Sequence, residues 1–344
     1  LAARGRLHVD KSRIAPVAAL GAYLTFAFAA LTFAPDPRAS LHVLGWLVLD
    51  VLLVVALLNV PEYYTVAMRV AIATSAMVSV AACVLWALAA TDVARVAVQH
   101  DTAYGGYAPY VLSYEANTLA SSVAIWAVVA AIVRWPARGL AQVVLHVITV
   151  GAILATHTRA ALIAYVAAIV VLACARRAAP FVALFAVASV FIAGTAVVSL
   201  RQGTSLQELV AKFSNPVDFQ SGSGLVRART SRTAVRDLHG MNIVFGLGTN
   251  TYGQRHLDPT RPNTQAAGYL GSSELQIVYD GGIIALVLIG FVVASVVRRN
   301  DWRVWLPMLL VYGISSAGTS IYWFSITWIL VAIGLQRRPV ADVH

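Results

Sequence analysis

The chain has 344 residues, of which 59% are hydrophobic and only 12% charged, and its formal net charge is +10. A soluble domain carries about twice that charged fraction, so composition excludes an ordinary soluble fold. The apolar residues come in runs of roughly 17–22, enough for a helix to cross about 30 Å of hydrocarbon. The alternating segments of about 10 residues that mark a transmembrane β-barrel are absent.

The predicted fold class is an all-α polytopic membrane protein with about 10 transmembrane helices, near 14–34, 41–60, 66–90, 116–133, 140–156, 160–175, 180–199, 274–296, 304–318 and 320–335. The chain begins at Leu1 rather than Met, which leaves room for preceding helices and a full-length count of 12. No cleavable signal peptide is visible, and the first run reads as a true span. Three parts are expected: an N-terminal bundle of about seven helices (1–199), an extracytoplasmic, partly helical loop (200–273) and a C-terminal set of about three helices (274–344).

Orientation follows from the basic loops. Arg4, Arg6, Lys11 and Arg13 precede the first span, and Arg134 and Arg138 follow the fourth. Arg176 and Arg177 follow the sixth, Arg298, Arg299 and Arg303 the eighth, and Arg337 and Arg338 the last. With ten spans, all these clusters fall on one side, and both termini are expected in the cytoplasm. The net charge therefore reads as topology and not as nucleic-acid binding. Cys83 and Cys174 sit inside apolar runs and suggest neither a disulfide framework nor a metal site.

Two outward segments are too long to be turns. Residues 91–115 are rich in tyrosine, with Tyr104, Tyr107, Tyr110 and Tyr114. Residues 200–273 break the charge rule, carrying Arg201, Lys212, Arg227, Arg229, Arg232, Arg236, Arg255 and Arg261. Long loops translocate largely regardless of charge, so topology does not require these residues and permits them.

Candidate chemistry lies in and around the second loop. Arg159 stands at a tight outer turn, Thr156-His157-Thr158-Arg159. It either snorkels to headgroups or binds an anion, for which guanidinium offers a planar fork of donors. Arg229, Arg232 and Arg236 recur at helical spacing and share one face, with Arg227 close by. That face either meets solvent and headgroups or holds a diphosphate. Phe245-Gly246-Leu247-Gly248 lacks the Lys-Ser/Thr of a nucleotide loop and reads as a turn. Glu274 opens the eighth span, as a general base or as a carboxylate favoured by the helix dipole. His256 is the second candidate base, against a solvated loop histidine. Asp50 and His146 lie within spans and read as packing contacts or as a polar path.

Four stretches, in this order, resemble the O-antigen ligase and O-antigen polymerase superfamily of membrane glycosyltransferases. They are Tyr104-Gly105-Gly106-Tyr107 with Asn117-Thr118-Leu119-Ala120, then Thr158-Arg159-Ala160-Ala161, then Arg229 before Gly246-Leu247-Gly248, then Leu275 to Gly282. One departure stands out: where the family often has His-Asn before the closing helix, this chain has Gly271-Ser272.

The resemblance implies a bacterial cytoplasmic-membrane enzyme with its site facing the periplasm. The donor would be a glycan on a polyprenyl diphosphate such as undecaprenyl diphosphate, and the acceptor a sugar hydroxyl on a glycan or glycolipid. Arg159, Arg229, Arg232, Arg227, Arg236 and Arg255 would bind the diphosphate. Glu274 or His256 would take the acceptor proton. Tyr104, Tyr107 and Asn117 would contact sugar, although interfacial anchoring explains the tyrosines equally well. No metal and no cofactor is implied, and the remaining partners are membrane lipids. Polymerase and ligase are not separated by sequence. The alternative, a transporter or flippase of lipid-linked or anionic glycans, predicts repeat symmetry and Gly/Pro-broken helices in matching positions. Neither is evident in the sequence. The transferase reading demands that Arg159 and Arg229 converge on one outward cavity.

Overall fold

The computed structural model describes residues 13–101, 106–113, 115–136, 139–176, 222–256 and 269–336. The predicted span 180–199, Tyr104, Tyr114 and several of the loop cations (Arg4, Arg6, Lys11, Arg138, Arg177, Arg201, Lys212, Arg261, Arg337 and Arg338) lie outside these residues. The described helices are α1 (Ile14–Ala29, extended by a 3-10 turn Ala30–Phe33), α2 (Pro37–Asn59), α3 (Pro61–Ala90), α4 (Ala116–Val133), α5 (Gly139–Ala155) and α6 (Arg159–Arg176). Then follow α7 (Gly222–Asp237), α8 (Asn242–Phe245), α9 (Thr251–His256), α10 (Ser273–Arg299), α11 (Trp302–Gly318) and α12 (Ser325–Leu335). The protein is an all-α membrane protein whose described residues also contain a two-stranded antiparallel ribbon, β1 (Val98–Asp101) and β2 (Gly106–Pro109). The ribbon lies inside the tyrosine-rich segment, which sequence reading left without structure.

Five described helices are long and apolar enough to cross a membrane by length and composition: Ile14–Phe33, Pro37–Asn59, Tyr64–Ala90, Ala116–Val133 and Ser273–Arg299. Gly139–Ala155, Arg159–Ala175 and Ser325–Leu335 are apolar but shorter. Helix α12 begins at Ser325, not at 320 as its apolar run suggested. The preceding residues are spent on tertiary contacts instead. The Ile321 N–H donates to Ser273 Oγ at 2.9 Å, and the Tyr322 carbonyl accepts from Trp328 Nε1 at 2.9 Å. Helix α2 begins earlier than expected because Asp36 caps it, its Oδ1 accepting from Arg38 N and Ala39 N, with Pro37 at the first position.

Packing falls into two units. The first comprises residues 1–66, 227–301 and 320–338, and the second 67–226, 302–319 and 339–344. In the first unit, Leu20, Tyr23 and Ala27 of α1 pack with Leu44, Leu47, Val51 and Val54 of α2, Ala285 and Val292 of α10, and Trp328, Ala332 and Leu335 of α12. These are helical rows at spacings of three and four. The opposite face of α2 is also apolar and exposed, with Leu41, Leu49 and Leu52 each more than half accessible. A helix apolar on both faces, one of them uncovered, is suited to lipid.

The first unit also orders its two ends. At one end Arg13 Nη1 donates to the Leu58 carbonyl, Gln336 Nε2 to the Leu57 carbonyl and Asn300 Nδ2 to the Gly334 carbonyl. At the other, Gln254 ties α9 to the α1–α2 turn through Asp36 N at 2.9 Å and Ser40 Oγ at 2.9 Å. The segment 237–256 therefore sits at the end away from Arg13 and from the α10 terminus at Arg298–Arg299.

In the second unit α4 is the central helix. Of its span 83% is buried, against 17% for α3, and α5, α6 and α11 pack around it. Small residues of α6 (Ala161, Ala164 and Ala168) are fully buried at helical spacing, which allows close helix approach in lipid. His146 Nδ1 and the Tyr165 hydroxyl meet at 2.6 Å, so His146 serves a helix–helix contact.

Candidate active site

The site is built on a break in α10. Gly282 has φ 63° and ψ −162°, and the helix is interrupted there. Among the described helices no other carries such a break. A break frees carbonyls that the next turn would have bonded, and in lipid each must find another donor. Here the Gly-Leu-Gly turn supplies them. The Leu247 N–H donates to the Tyr279 carbonyl at 2.8 Å, and the Gly248 N–H to the Asp280 carbonyl at 3.0 Å. The turn can approach because Gly246 (φ 73°) and Gly282 lack side chains: a Cβ on Gly246 would lie 2.5 Å from the Asp280 carbonyl carbon. The Asp280 carboxylate completes the joint. It is buried and accepts from Gln276 Nε2 at 2.9 Å, the Tyr322 hydroxyl at 2.7 Å and Asn250 N at 3.0 Å. The turn expected from sequence is thus a plug in a broken helix, signalled only by Gly281-Gly282 inside an apolar run.

Above this joint, a small core of Ala234, Leu247, Tyr252, Leu270 and Tyr279 holds α7, α9 and the start of α10 together. It carries a polar group on its rim. His256 Nε2 lies 2.6 Å from Asp237 Oδ2, and the Tyr279 hydroxyl donates to the same oxygen at 2.7 Å. Tyr252 packs on the imidazole, ring centroids 4.8 Å apart, and meets Tyr279 edge-on. The His256 and Asp237 side chains are 30% and 26% accessible, so the pair is held yet reachable. Partial burial alone would raise the Asp237 carboxyl. Hydrogen bonds from His256 and Tyr279, with the charges of His256 and Arg255, outweigh it and hold the group below the usual carboxylate range. Burial and the Asp237 charge push the Tyr252 phenol up to about 12. Sequence does not single out Asp237 and Tyr279, because His256 and Tyr279 reach Asp237 across 19 and 42 residues with no fixed motif spacing.

The arginines divide. Arg229, Arg232 and Arg236 are exposed on one face of α7, while Ala234 on the other face is fully buried. Arg227 lies apart, its stem against Gly271, where a Cβ would come 2.8 Å from Arg227 Cγ. A side chain at Gly271, the position of the departure from the family pattern, would therefore have to displace the Arg227 stem. Arg255 caps carbonyls, its Nη2 donating to Phe33 O at 3.1 Å and Leu247 O at 3.4 Å. Glu274 is exposed in the first turn of α10, its Oε2 accepting from Ser272 Oγ at 2.7 Å.

The remaining candidates belong to the second unit. Arg159 opens α6 two residues after His157, whose φ is 57°. Thr158 Oγ1 donates to Asn117 Oδ1 at 3.1 Å, bringing together two of the quoted motifs, 41 residues apart in sequence. At the same end Thr319 Oγ1 donates to Glu115 Oε1 at 2.6 Å. Tyr107 lies in β2 with the Arg95 guanidinium 4.9 Å over its ring. Tyr104 lies outside the described residues. Among the described residues no three His, Cys, Asp or Glu side chains gather to hold a metal ion.

Apolar helices with lipid-suited faces and a loop-borne polar group define an integral membrane protein whose candidate chemistry sits at a helix end. The model of the O-antigen ligase family matches residues 144–290, from α5 into the second half of α10. Over those residues, which are fewer than half of the chain, the protein is similar to the O-antigen ligase family. A comparison with curated proteins finds no match.

Proposed function

We propose that the protein transfers a glycan from a polyprenyl-diphosphate-linked donor to a sugar hydroxyl, with inversion and without a metal, on the outer face of the bacterial cytoplasmic membrane, as a polysaccharide polymerase or ligase. The observation that carries this reading is the His256–Asp237 pair beside the exposed arginine face of α7. Opposite a carboxylate, His256 Nε2 carries the hydrogen, which leaves the Nδ1 lone pair as the base. In the reaction the acceptor oxygen forms a bond to the anomeric carbon, and the bond from that carbon to the phosphate oxygen breaks. The electron pair leaves with the diphosphate, and the acceptor proton passes to Nδ1.

Arg229, Arg232 and Arg236 are assigned to the charge that develops on the departing diphosphate. Arg159 is assigned to anion binding at its own end of the second unit. Arg227 and Arg255 have packing and capping duties that make them supporting residues, and Glu274 acts as the α10 N-terminal carboxylate. Placement of 237–256 at the end away from Arg13 and Arg298–Arg299 supports an outward site.

The test incubates purified protein with a polyprenyl-diphosphate glycan and an acceptor glycan. Extended or transferred product with release of polyprenyl diphosphate is expected. Movement of intact lipid-linked glycan across vesicles without transfer would favour the flippase.

A further inference from the structure

We infer that Asp237 is a positioning residue for His256, with Tyr279 fixing the carboxylate from beneath, so that one imidazole nitrogen is committed to holding the ring and the other to proton transfer. This rests on reading His256 as the base.

The geometry argues for more than a surface ion pair. A single oxygen, Asp237 Oδ2, receives both His256 Nε2 at 2.6 Å and the Tyr279 hydroxyl at 2.7 Å. The three groups come from three elements: the last residue of α7, the last residue of α9 and the second turn of α10. The Tyr279 ring is fully buried, so its hydroxyl is a fixed donor where a solvated one would rotate. Tyr252 covers one side of the imidazole.

The charged and titratable neighbours are few. Arg255, on the same element as His256, points its Nη2 to the Phe33 and Leu247 carbonyls. Tyr252 and Tyr279 face the pair, and His239, beyond the end of α7, is tied to the Arg236 carbonyl at 3.2 Å. The carboxylate is therefore the only anion among the described groups that touches the ring. As His256 takes the acceptor proton, the imidazolium forms against it.

The arrangement also bears on the missing His-Asn at Gly271-Ser272. A side chain at Gly271 would displace the Arg227 stem, and the base is instead supplied from α9, held by a residue of α7.

The experiment measures kcat, the donor KM and the pH profile of kcat for the full chain and for Asp237→Asn, Asp237→Glu, Tyr279→Phe and His256→Ala. Asp237→Asn keeps the shape but removes the charge. Expected is a kcat about 100-fold lower with donor KM within about twofold, and an acidic limb moved about one unit towards lower pH. Loss of the anion makes the imidazolium less stable, which sets the direction of that move. Asp237→Glu should restore part of the rate, and Tyr279→Phe should show the same trend at a smaller size.

The pH dependence of diethyl pyrocarbonate labelling at His256, read by peptide mass spectrometry, gives a readout independent of turnover. It should move in the same direction in Asp237→Asn and Tyr279→Phe. An inactive His256→Ala together with Asp237→Asn of wild-type kcat, profile and labelling overturns the positioning role. An active His256→Ala overturns the reading of His256 as base.

Discussion

Replacing Gly282 by alanine is the sharpest perturbation of the architecture that holds the site. Gly282 sits at φ 63° and ψ −162°, a region essentially confined to glycine, where a side chain costs about 1–3 kcal/mol. A Cβ there would also press into the Val244 carbonyl and lie 2.7 Å from Gly246 N. These are backbone atoms of the plug, so they cannot rotate away, and overpacking adds about 1–3 kcal/mol. The sum is roughly 2–6 kcal/mol, with the two plug hydrogen bonds, Leu247 N–H to Tyr279 O and Gly248 N–H to Asp280 O, the first to lengthen. Gly290 on the same helix has nothing within 4 Å of its would-be Cβ and serves as the control. Thermal unfolding in detergent, followed by tryptophan fluorescence, should place Gly282→Ala on the order of 5 °C or more below wild type. Gly290→Ala should stay within about 1 °C or rise slightly. If both variants melt with the wild type, the plugged-break account is wrong.

Other outcomes are expected. Arg232→Ala and Arg236→Ala should each reduce transfer about 10-fold or more, and lysine should rescue poorly because the guanidinium fork is lost; full rescue by lysine would reduce their role to net charge. Arg159→Ala should abolish transfer in the same assay while leaving the melting temperature near wild type, and retained turnover would assign Arg159 to headgroup snorkelling. Gly271→His, which places an imidazole where the family often carries one, should lower activity and not raise it, since its Cβ would come 2.8 Å from Arg227 Cγ; a faster enzyme would contradict the packing. The Asp237 carboxyl titrates below its ordinary value of 3.8, so its stabilising contribution is present above that value and is lost as pH falls through the lower folded one. The stability gap between wild type and Asp237→Asn should therefore close as pH falls from about 5 into acid, as chemical denaturation at stepped pH would show.

Much of the fold is legible in sequence, because a span is a local property. A run such as Val43 to Leu58 needs no partner to declare itself, and nine predicted positions carry helices while the tenth lies outside the described residues. The face shared by Arg229, Arg232 and Arg236 is local too, and all three are exposed together on α7. What sequence does not show is long-range. Asp237 stands at the end of an arginine-rich run and looks like a helix-terminal carboxylate until His256 and Tyr279 arrive from 19 and 42 residues away. Gly281-Gly282 sits in an apolar run whose hydropathy hides the break, and only the fold shows Gly246 and Gly248 filling it. The ribbon of β1 and β2 is four residues a side, too short for a period to register. Arg255 looked like another phosphate ligand because its basicity is visible in sequence and the Phe33 carbonyl it caps, 222 residues away, is not.

The most direct test of the central claim is a single-turnover measurement with purified protein, a polyprenyl-diphosphate glycan labelled in the sugar, and an unlabelled acceptor glycan. Wild type should move label to the acceptor and release polyprenyl diphosphate in equal amount, and His256→Ala should slow both by about 10²–10⁴-fold. Label that stays on the lipid with the wild-type protein, or that moves at the wild-type rate in His256→Ala, would contradict the account.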